Sequence, residues 1–579
     1  MGDTNTAAQL PGPVIVVGAG PVGTAAALLL ADAGIGVIML ERHAEPHPLP
    51  RAVHLDDEVV GILSRAGIGE RFLARSRPCS GLRLLDARHQ VMAELSRALS
   101  GVHGVPQANM FHQPDLEELL LGRAAEHPLI TLHRTADVVR LRDPACATGS
   151  VPVTVTARTG PSGLEREFAG SFVLGCDGAG STVRDLAGLT MEDLGFTERW
   201  LVIDIRVAGG LDTWDGVEQV CDPARAATFM QVTGDRYRWE FQLHDGEDEA
   251  ALLAPAALGA LLAPWTGRSD LDGLEIVRSA TYTFRARLAS RFRAGRVFLL
   301  GDAAHLTPPF IGQGLAAGLR DADNLTWKIA HVLTGRSAED LLDSYDTERR
   351  PHARAMVKKA VMIGWAMTGG QDRAAAVRRV ALAAAVRITP VRDVVAATAT
   401  PRLKAGALQP GTGRVPARPG SRVRPGSLIP NPLVCEPGAA PRRLDAILAG
   451  RTTVLTARQP EAALADLCDQ YGMQLLRIDI GTAPHEPVRP GSPVAGHPGR
   501  PPDRWIEVRL DGGDLSCPIR ALLADPGLAI VVRPDRVIAA AAARRQLPVV
   551  PWPIRPHAGA RPAASAQTIR PEPAEQAGP

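Results

Sequence analysis

The 579-residue sequence predicts an α/β fold with an α+β insert: a first domain around a buried parallel sheet, an antiparallel layer interleaved with it, and a second α/β domain near the C-terminus. Three observations carry this. Apolar runs at Val14–Val17, Phe172–Leu174 and Val297–Leu300 each lead into a glycine-bearing turn and a helical pattern, as strands buried on both faces do. Between the second and third runs, Tyr237, Trp239, Phe241 and Leu243 alternate with Arg236, Arg238, Glu240 and Gln242, the period of a half-buried strand. After Pro401 the composition turns to Pro, Gly and Arg, as in a surface linker, before strand and helix patterns resume.

The first run opens into Gly18-Ala19-Gly20-Pro21-Val22-Gly23 and the helical Thr24–Leu30; a second strand, Val37–Leu40, ends at Glu41. This is the dinucleotide fingerprint in full context, with an acid roughly twenty residues beyond the glycines. Gly18 makes the tight turn, Gly20 admits a pyrophosphate against the backbone, and Gly23 permits close helix packing. The Glu41 carboxylate accepts hydrogen bonds from an adenosine ribose and repels a ribose 2′-phosphate, which leaves FAD or NAD at this site.

The second turn reads Cys176-Asp177-Gly178-Ala179-Gly180-Ser181-Thr182-Val183-Arg184. The third is Gly301-Asp302-Ala303-Ala304-His305, followed by Pro308 and Pro309 and by a helix entry, Gly312-Gln313-Gly314-Leu315, whose small residues leave backbone N–H groups approachable by an anion or an electron-rich ring. The trio GAGPVG, CDGAGSTVR and GDAAH, in this order, resembles the class A flavoprotein aromatic hydroxylases typified by p-hydroxybenzoate hydroxylase. Within that class the chain is most similar to the 3-(3-hydroxyphenyl)propionate hydroxylases, on Pro50–Glu58 and Thr283–Ala304, with Val202–Ile205, Cys221–Arg225, Trp239–Phe241 and Val532–Arg536 in the expected order.

The resemblance implies a Rossmann-like FAD-binding domain over residues 1–400 (segments 13–75, 111–185 and 283–357), an interleaved antiparallel-sheet substrate domain (about 76–110 and 186–282) and a helical extension, 358–400. A linker (401–432), a thioredoxin-like domain without CxxC (433–556) and a disordered Pro/Ala-rich tail (557–579) follow. It also implies non-covalent FAD, NADH or NADPH as a transient hydride donor, O₂, and a small aromatic substrate hydroxylated through a flavin C4a-hydroperoxide. Glu41 would hold the adenosine ribose, with Arg42 and Val138 also at the cofactor; Arg51 and Gln113 would lie near the pyrophosphate, and Asp302 would hydrogen-bond the ribityl chain. The backbone from Gly312 through Gln313 and Gly314 to Leu315 would face the isoalloxazine, with Pro308 and Pro309 lining its reaction side; Asp177 is assigned to cofactor positioning. His54 and Trp239 are further pocket candidates, each with a structural role as the alternative, and His305 reads either as a base or as a hydrogen-bonded structural histidine. No side chain stands out as the phenol-activating base or the substrate-carboxylate anchor.

Charge is nearly balanced, 64 Lys plus Arg against 62 Asp plus Glu, which points away from nucleic acid and anionic membranes. Ala374–Val394 is long and apolar, but Arg378, Arg379, Arg387 and Pro390 make it a surface or packing helix rather than a span. Met1–Gly12 lacks a basic segment followed by an apolar one, so a cytoplasmic enzyme is expected. Seven cysteines without CxxC or Cys/His ligand spacing give neither a disulfide framework nor a metal site. The thioredoxin-like domain therefore has a packing or homodimer role rather than a redox one. Three other functions are weighed: hydroxylation of a polyketide or other polycyclic phenol; halogenation, whose WxWxIP signature is missing, with Trp552-Pro553-Ile554 the nearest approach; and non-catalytic aromatic binding.

Overall fold

Strands that are apolar throughout stack at the centre of the first domain. The computed structural model describes residues 12–46, 51–143, 151–222, 224–368, 401–408, 424–480, 505–510, 518–523, 528–543, 552 and 554–555. The helix expected over Ala374–Val394, most of the linker and the tail lie outside them. In these residues the fold is mixed α/β, built on a six-stranded sheet ordered Arg293–Ala294, Val297–Leu299, Phe172–Gly175, Val14–Val17, Val37–Leu40 and Ile130–His133. All neighbours pair in parallel except the edge strand Arg293–Ala294. Val14–Val17 and Phe172–Gly175 are buried at every position because the sheet is covered on both faces. The helices Pro21–Asp32 and Gly314–Leu333 pack on each other on one face. A three-stranded antiparallel sheet, Ala136–Arg142, Val153–Thr159 and Leu164–Gly170, joins the same apolar core through Val138, Val153, Val155 and Phe168.

The interleaved layer is an eight-stranded sheet with strands from both 81–96 and 191–289, and His305–Leu306 at its edge. Its longest strands, Met191–Val207 and Leu274–Ala289, pair antiparallel with bulges after Asp193 and Asp204. The alternating run is the second arm of a hairpin, Ala227–Gln231 paired with Arg236–Leu243, and Gly234 takes φ 56° in its turn, a conformation few other residues tolerate.

A seven-stranded sheet forms the C-terminal part, with the parallel trio Thr453–Thr456, Gln474–Asp479 and Ile506–Leu510 and the antiparallel pair Leu528–Val532 and Ile538–Ala543. It packs on the first domain through an apolar cluster in which Trp552 meets Trp327 edge-on at 5.5 Å. No helix among the described residues is long and apolar enough to cross a membrane.

Candidate functional site

Two helices begin beyond the carboxyl ends of the parallel strands, where sheets of this kind bind ligands. In the first turn Gly18 has φ 101°, and a Cβ there would lie 2.4 Å from the Cys176 carbonyl oxygen; a Cβ on Gly23 would lie 2.0 Å from that of Gly18. A Cβ on Gly20 would meet nothing within 4 Å. Two glycines are thus demanded by packing, and the third faces open space where a pyrophosphate fits. The helix begun by Pro21 and Val22 has no side-chain cap, so its first N–H groups are free to meet an anion. Glu41 accepts from the amides of Ala19 and His43, both at 2.8 Å, which fixes its carboxylate beside the turn. Arg42 is exposed, its Nε 3.1 Å from the His43 ring, and Val138 is buried in the core.

In the second turn Asp177 accepts from Ser181 Oγ at 2.5 Å and from the Val183 amide at 3.0 Å, so it holds the start of Thr182–Leu186, while burial raises its carboxyl above the usual range. The buried Arg184 donates to the carbonyls of Ala179 (3.0 Å) and Ala303 (3.4 Å), stitching the second turn to the third. This is a structural role that its place on a helix did not reveal.

The third turn is held by Asp321, a fully buried carboxylate that the sequence reading missed. Its Oδ2 accepts from the Gly301 amide (3.1 Å) and bonds His305 Nε2 (2.7 Å); its Oδ1 accepts from Arg349 (2.8 Å). His305 is therefore the structural histidine of the two readings. Asp302 is exposed, and desolvation by the protein around it raises its carboxyl, with His305 and Arg51 opposing the shift. Gly318 makes this approach possible, since a Cβ there would come within 2.6 Å of Val22 and 2.9 Å of Gly301.

Pro308 is buried and Pro309 opens a 3-10 turn. Phe310 then packs edge-on against Phe196 (5.7 Å) and Trp200 (5.9 Å), an aromatic wall beside the prolines. Gly312 follows at φ 60°, so close to the His54 ring that a Cβ would sit 3.1 Å from Nδ1. Burial lowers the His54 pKa, favouring the neutral ring. Gln313 is turned inward: Nε2 donates to Asp56 (2.9 Å) and Oε1 accepts from Arg320 (2.7 Å). Helix Gly314–Leu333 begins without a side-chain cap, and Leu315 lies in its first turn. Helices starting at Asp57 and Thr182 are instead capped by Asp56 and Ser181. The helices that begin at Pro21 and Gly314 meet at the third turn, where Gly301 lies against Val22 and Gly318.

Gln113 also acts through the protein. Its Oε1 accepts from the amides of Arg51 (3.1 Å) and Ala52 (2.7 Å), pinning the segment that carries Arg51. Trp239 requires a correction. It is fully buried among Phe229, Tyr237 and Trp265 in the core of its own layer, because side chains alternate across the strand. The opposite, polar face turns toward the first domain: Arg238 donates to the Arg51 carbonyl (2.7 Å) and makes a two-pronged ion pair with Asp204 (2.7 and 3.0 Å). The greasy face seals the layer and the wet face meets the segment that carries Arg51.

Residues 12–360, more than half of the chain, match the family described as FAD binding domain. Over 377 residues the chain is 36% identical to 3-(3-hydroxy-phenyl)propionate/3-hydroxycinnamic acid hydroxylase 2 of Burkholderia vietnamiensis (strain G4 / LMG 22486), a match covering 65% of this chain and 67% of that relative. A similarly named hydroxylase of Burkholderia cenocepacia (strain HI2424) is 36% identical over 61% of this chain and 63% of its own, so the match spans under two thirds of that relative. Among solved structures, the anhydrotetracycline hydroxylase OxyS from Streptomyces rimosus superposes with a TM-score of 0.68 at 26% identity, over 92% of this chain and 96% of its own. With its glycine turns, cleft and relatives in agreement, the chain belongs to the FAD binding domain family, among the FAD-dependent aromatic hydroxylases.

Proposed function

We propose that this chain is an aromatic-ring monooxygenase that uses NAD(P)H and O₂ to hydroxylate 3-(3-hydroxyphenyl)propionate or 3-hydroxycinnamate ortho to its phenol. The observation that carries the reading is the meeting of the three glycine-bearing turns: Gly18 lies against Cys176 and Asp177, and Gly301 against Val22 and Gly318 of the helices that begin at Pro21 and Gly314. FAD, when bound, takes hydride from the nicotinamide and passes one oxygen atom of O₂ to the ring, the other leaving as water. The chain's own residues do the rest. The Gly18–Gly23 turn and Glu41 hold the adenosine half, Asp302 the ribityl chain, and the backbone from Gly312 to Leu315 the ring edge where negative charge collects. Pro308, Pro309 and the Phe310 wall keep water from the reacting face.

A carboxylate-bearing substrate suits the wet face of the antiparallel layer. Arg225 is committed to Glu247, but Arg238 and Arg278 meet around Asp204, Arg238 also reaching Glu240, whose carboxyl burial raises toward its neutral form. A propionate carboxylate would find its counter-charge in this guanidinium cluster. NADH is the donor we favour, since a relative in Rhodococcus jostii (strain RHA1), 34% identical over 65% of this chain and 69% of its own, is named as a probable NADH-specific resorcinol 4-hydroxylase. A nicotinamide donor suits a cytoplasmic enzyme, the localisation we propose. A second reading, hydroxylation of a polycyclic phenol, is favoured by the 92% coverage of the anhydrotetracycline hydroxylase match. The C-terminal unit supports a thioredoxin-like reading: a parallel β-α-β pair, Thr453–Thr456 and Gln474–Asp479, gains an antiparallel hairpin on its first strand.

NADH oxidation by the yellow, FAD-loaded protein, measured across hydroxylated phenylpropionates, cinnamates and polycyclic phenols, tests the assignment. Stimulation with stoichiometric product from the phenylpropionates is expected. Stimulation confined to polycyclic phenols would transfer the assignment to the second reading, and a colourless protein would end both.

A further inference from the structure

The motif Val532–Arg536 lies in the C-terminal unit, far along the chain from every flavin segment, yet it is buried against the first domain. Arg533 is fully buried and makes two bonds to Glu348, at 2.8 and 3.0 Å, while also pairing with Asp535. Glu348 accepts as well from Lys328 (2.9 Å) and Asn324 (2.7 Å), both on helix Gly314–Leu333, whose first turn faces the cleft. Arg536 takes φ 62°, a conformation that costs a non-glycine residue free energy and persists only where its surroundings hold it. Its guanidinium donates to the Glu58 carbonyl (3.1 Å) and pairs with Asp445 (3.1 Å). Gly61 makes the seat, since a Cβ there would lie 2.6 Å from two guanidinium nitrogens. The seat is thus shaped for this side chain.

From the seat the contacts run without a gap to the flavin loop. The Glu58 carboxylate pairs with Arg320 (3.0 Å); Arg320 pairs with Asp56 (2.5 Å) and donates to Gln313 (2.7 Å); and Gln313 closes the ring on Asp56 (2.9 Å). Arg65, one turn beyond Gly61 on the same helix, bridges Asp323 (2.5 Å) and Asp445 (3.4 Å), adding a second tie to helix Gly314–Leu333. Both elements that position Gly312-Gln313-Gly314, the helix Asp57–Arg65 and the start of Gly314–Leu333, are therefore clamped by the C-terminal turn.

We propose that Arg533 and Arg536 are positioning residues for the flavin: the C-terminal unit sets the loop Gly312–Leu315 against the isoalloxazine through the Asp56–Gln313–Arg320 brace. The inference rests on the flavin assignment of that loop. It gives the C-terminal unit a role in how faithfully reducing equivalents are turned into product, because a ring held loosely loses its oxygen as hydrogen peroxide before transfer.

The test uses the full-length, FAD-loaded protein and the phenol that best stimulates it. Arg536→Met should lower the fraction of NADH consumed that yields hydroxylated product by about threefold or more, the size that a modest coupling energy produces. It should also change the visible spectrum of the bound flavin. Arg536→Lys, which keeps the charge beside Asp445, should recover part of both, and Arg442→Gln, which removes an exposed ion pair with Glu436 in the same unit, should change neither. If Arg536→Met does not fold, Asp445→Asn weakens the same clamp from the other side and should lower the product fraction in the same direction. Unchanged product fraction and flavin spectrum in the folded variant, whatever its melting temperature, would overturn the inference while leaving the flavin site in place. Failure of the wild-type protein to bind FAD would overturn both.

Discussion

The turn Gly18–Gly23 and the turn Arg533–Arg536 each leave a buried strand, and they are built on opposite rules. The first has almost no side chains: its glycines bring backbone close, its helix start lacks a cap, and the space beside Gly20 is open. The second is filled with long charged side chains, Arg533 and Asp535 among partners already satisfied within the protein. A turn that keeps its polar groups for a ligand must be bare, whereas one that joins two units spends them internally.

The contrast breaks most visibly at the charged turn. Arg533→Met leaves the buried carboxylates Glu348 and Asp535 with Lys328 as their one remaining cation in this cluster and should cost about 3–5 kcal/mol, read as a fall in melting temperature. Replacing Arg533 and Glu348 together by apolar residues of similar volume should cost less than Arg533→Met alone. At the bare turn, Gly23→Ala drives a Cβ to within 2.0 Å of the Gly18 carbonyl oxygen. The expected destabilisation is about 1–3 kcal/mol, accompanied by loss of FAD on gel filtration. Asp302→Ala should weaken FAD binding by about tenfold in a fluorescence titration, the worth of one hydrogen bond to a charged group. Cys176→Ser, in the neighbouring turn, should leave binding near wild type.

The smallest effect is a pH dependence. Burial beside Asp56 and Glu58 pushes the Asp57 carboxyl from 3.8 up to about 7. Because the folded value is the higher one, the folded state is favoured while Asp57 stays protonated, and that contribution is lost as pH rises through about 7. The melting temperature of Asp57→Asn minus that of wild type should therefore grow between pH 4 and 7 and level off above. A flat difference would mean that Asp57 ionises normally in the folded protein.

What the sequence revealed divides along the same line. The bare turns were legible because glycine spacing, flanking apolar strands and the acid at Glu41 are all local, and Val14–Val17 and Thr453–Thr456 are strands as their apolar runs imply. The hairpin was legible from its alternation, but not which face meets the cleft: Trp239 and Arg238 are adjacent in sequence and point opposite ways, and only the packed sheet decides. The long strands Met191–Val207 and Leu274–Ala289 were only partly visible, since bulges interrupt the alternation that would mark them. Hidden altogether were the charged hubs. Arg533 finds Glu348 across 185 positions and Asn324 finds Asp535 across 211, and no spacing rule reaches that far. Asp321 looked like any helical carboxylate until the turn at Gly301 folded onto it.

The most direct test of the oxygenase reading is the isotopic composition of the product made by FAD-loaded protein from NADH, 3-(3-hydroxyphenyl)propionate and ¹⁸O₂. One ¹⁸O atom in the newly introduced hydroxyl, with the second in water, is the result this structure calls for. Product free of ¹⁸O, or NADH consumption that yields hydrogen peroxide alone with every phenol offered, would contradict it.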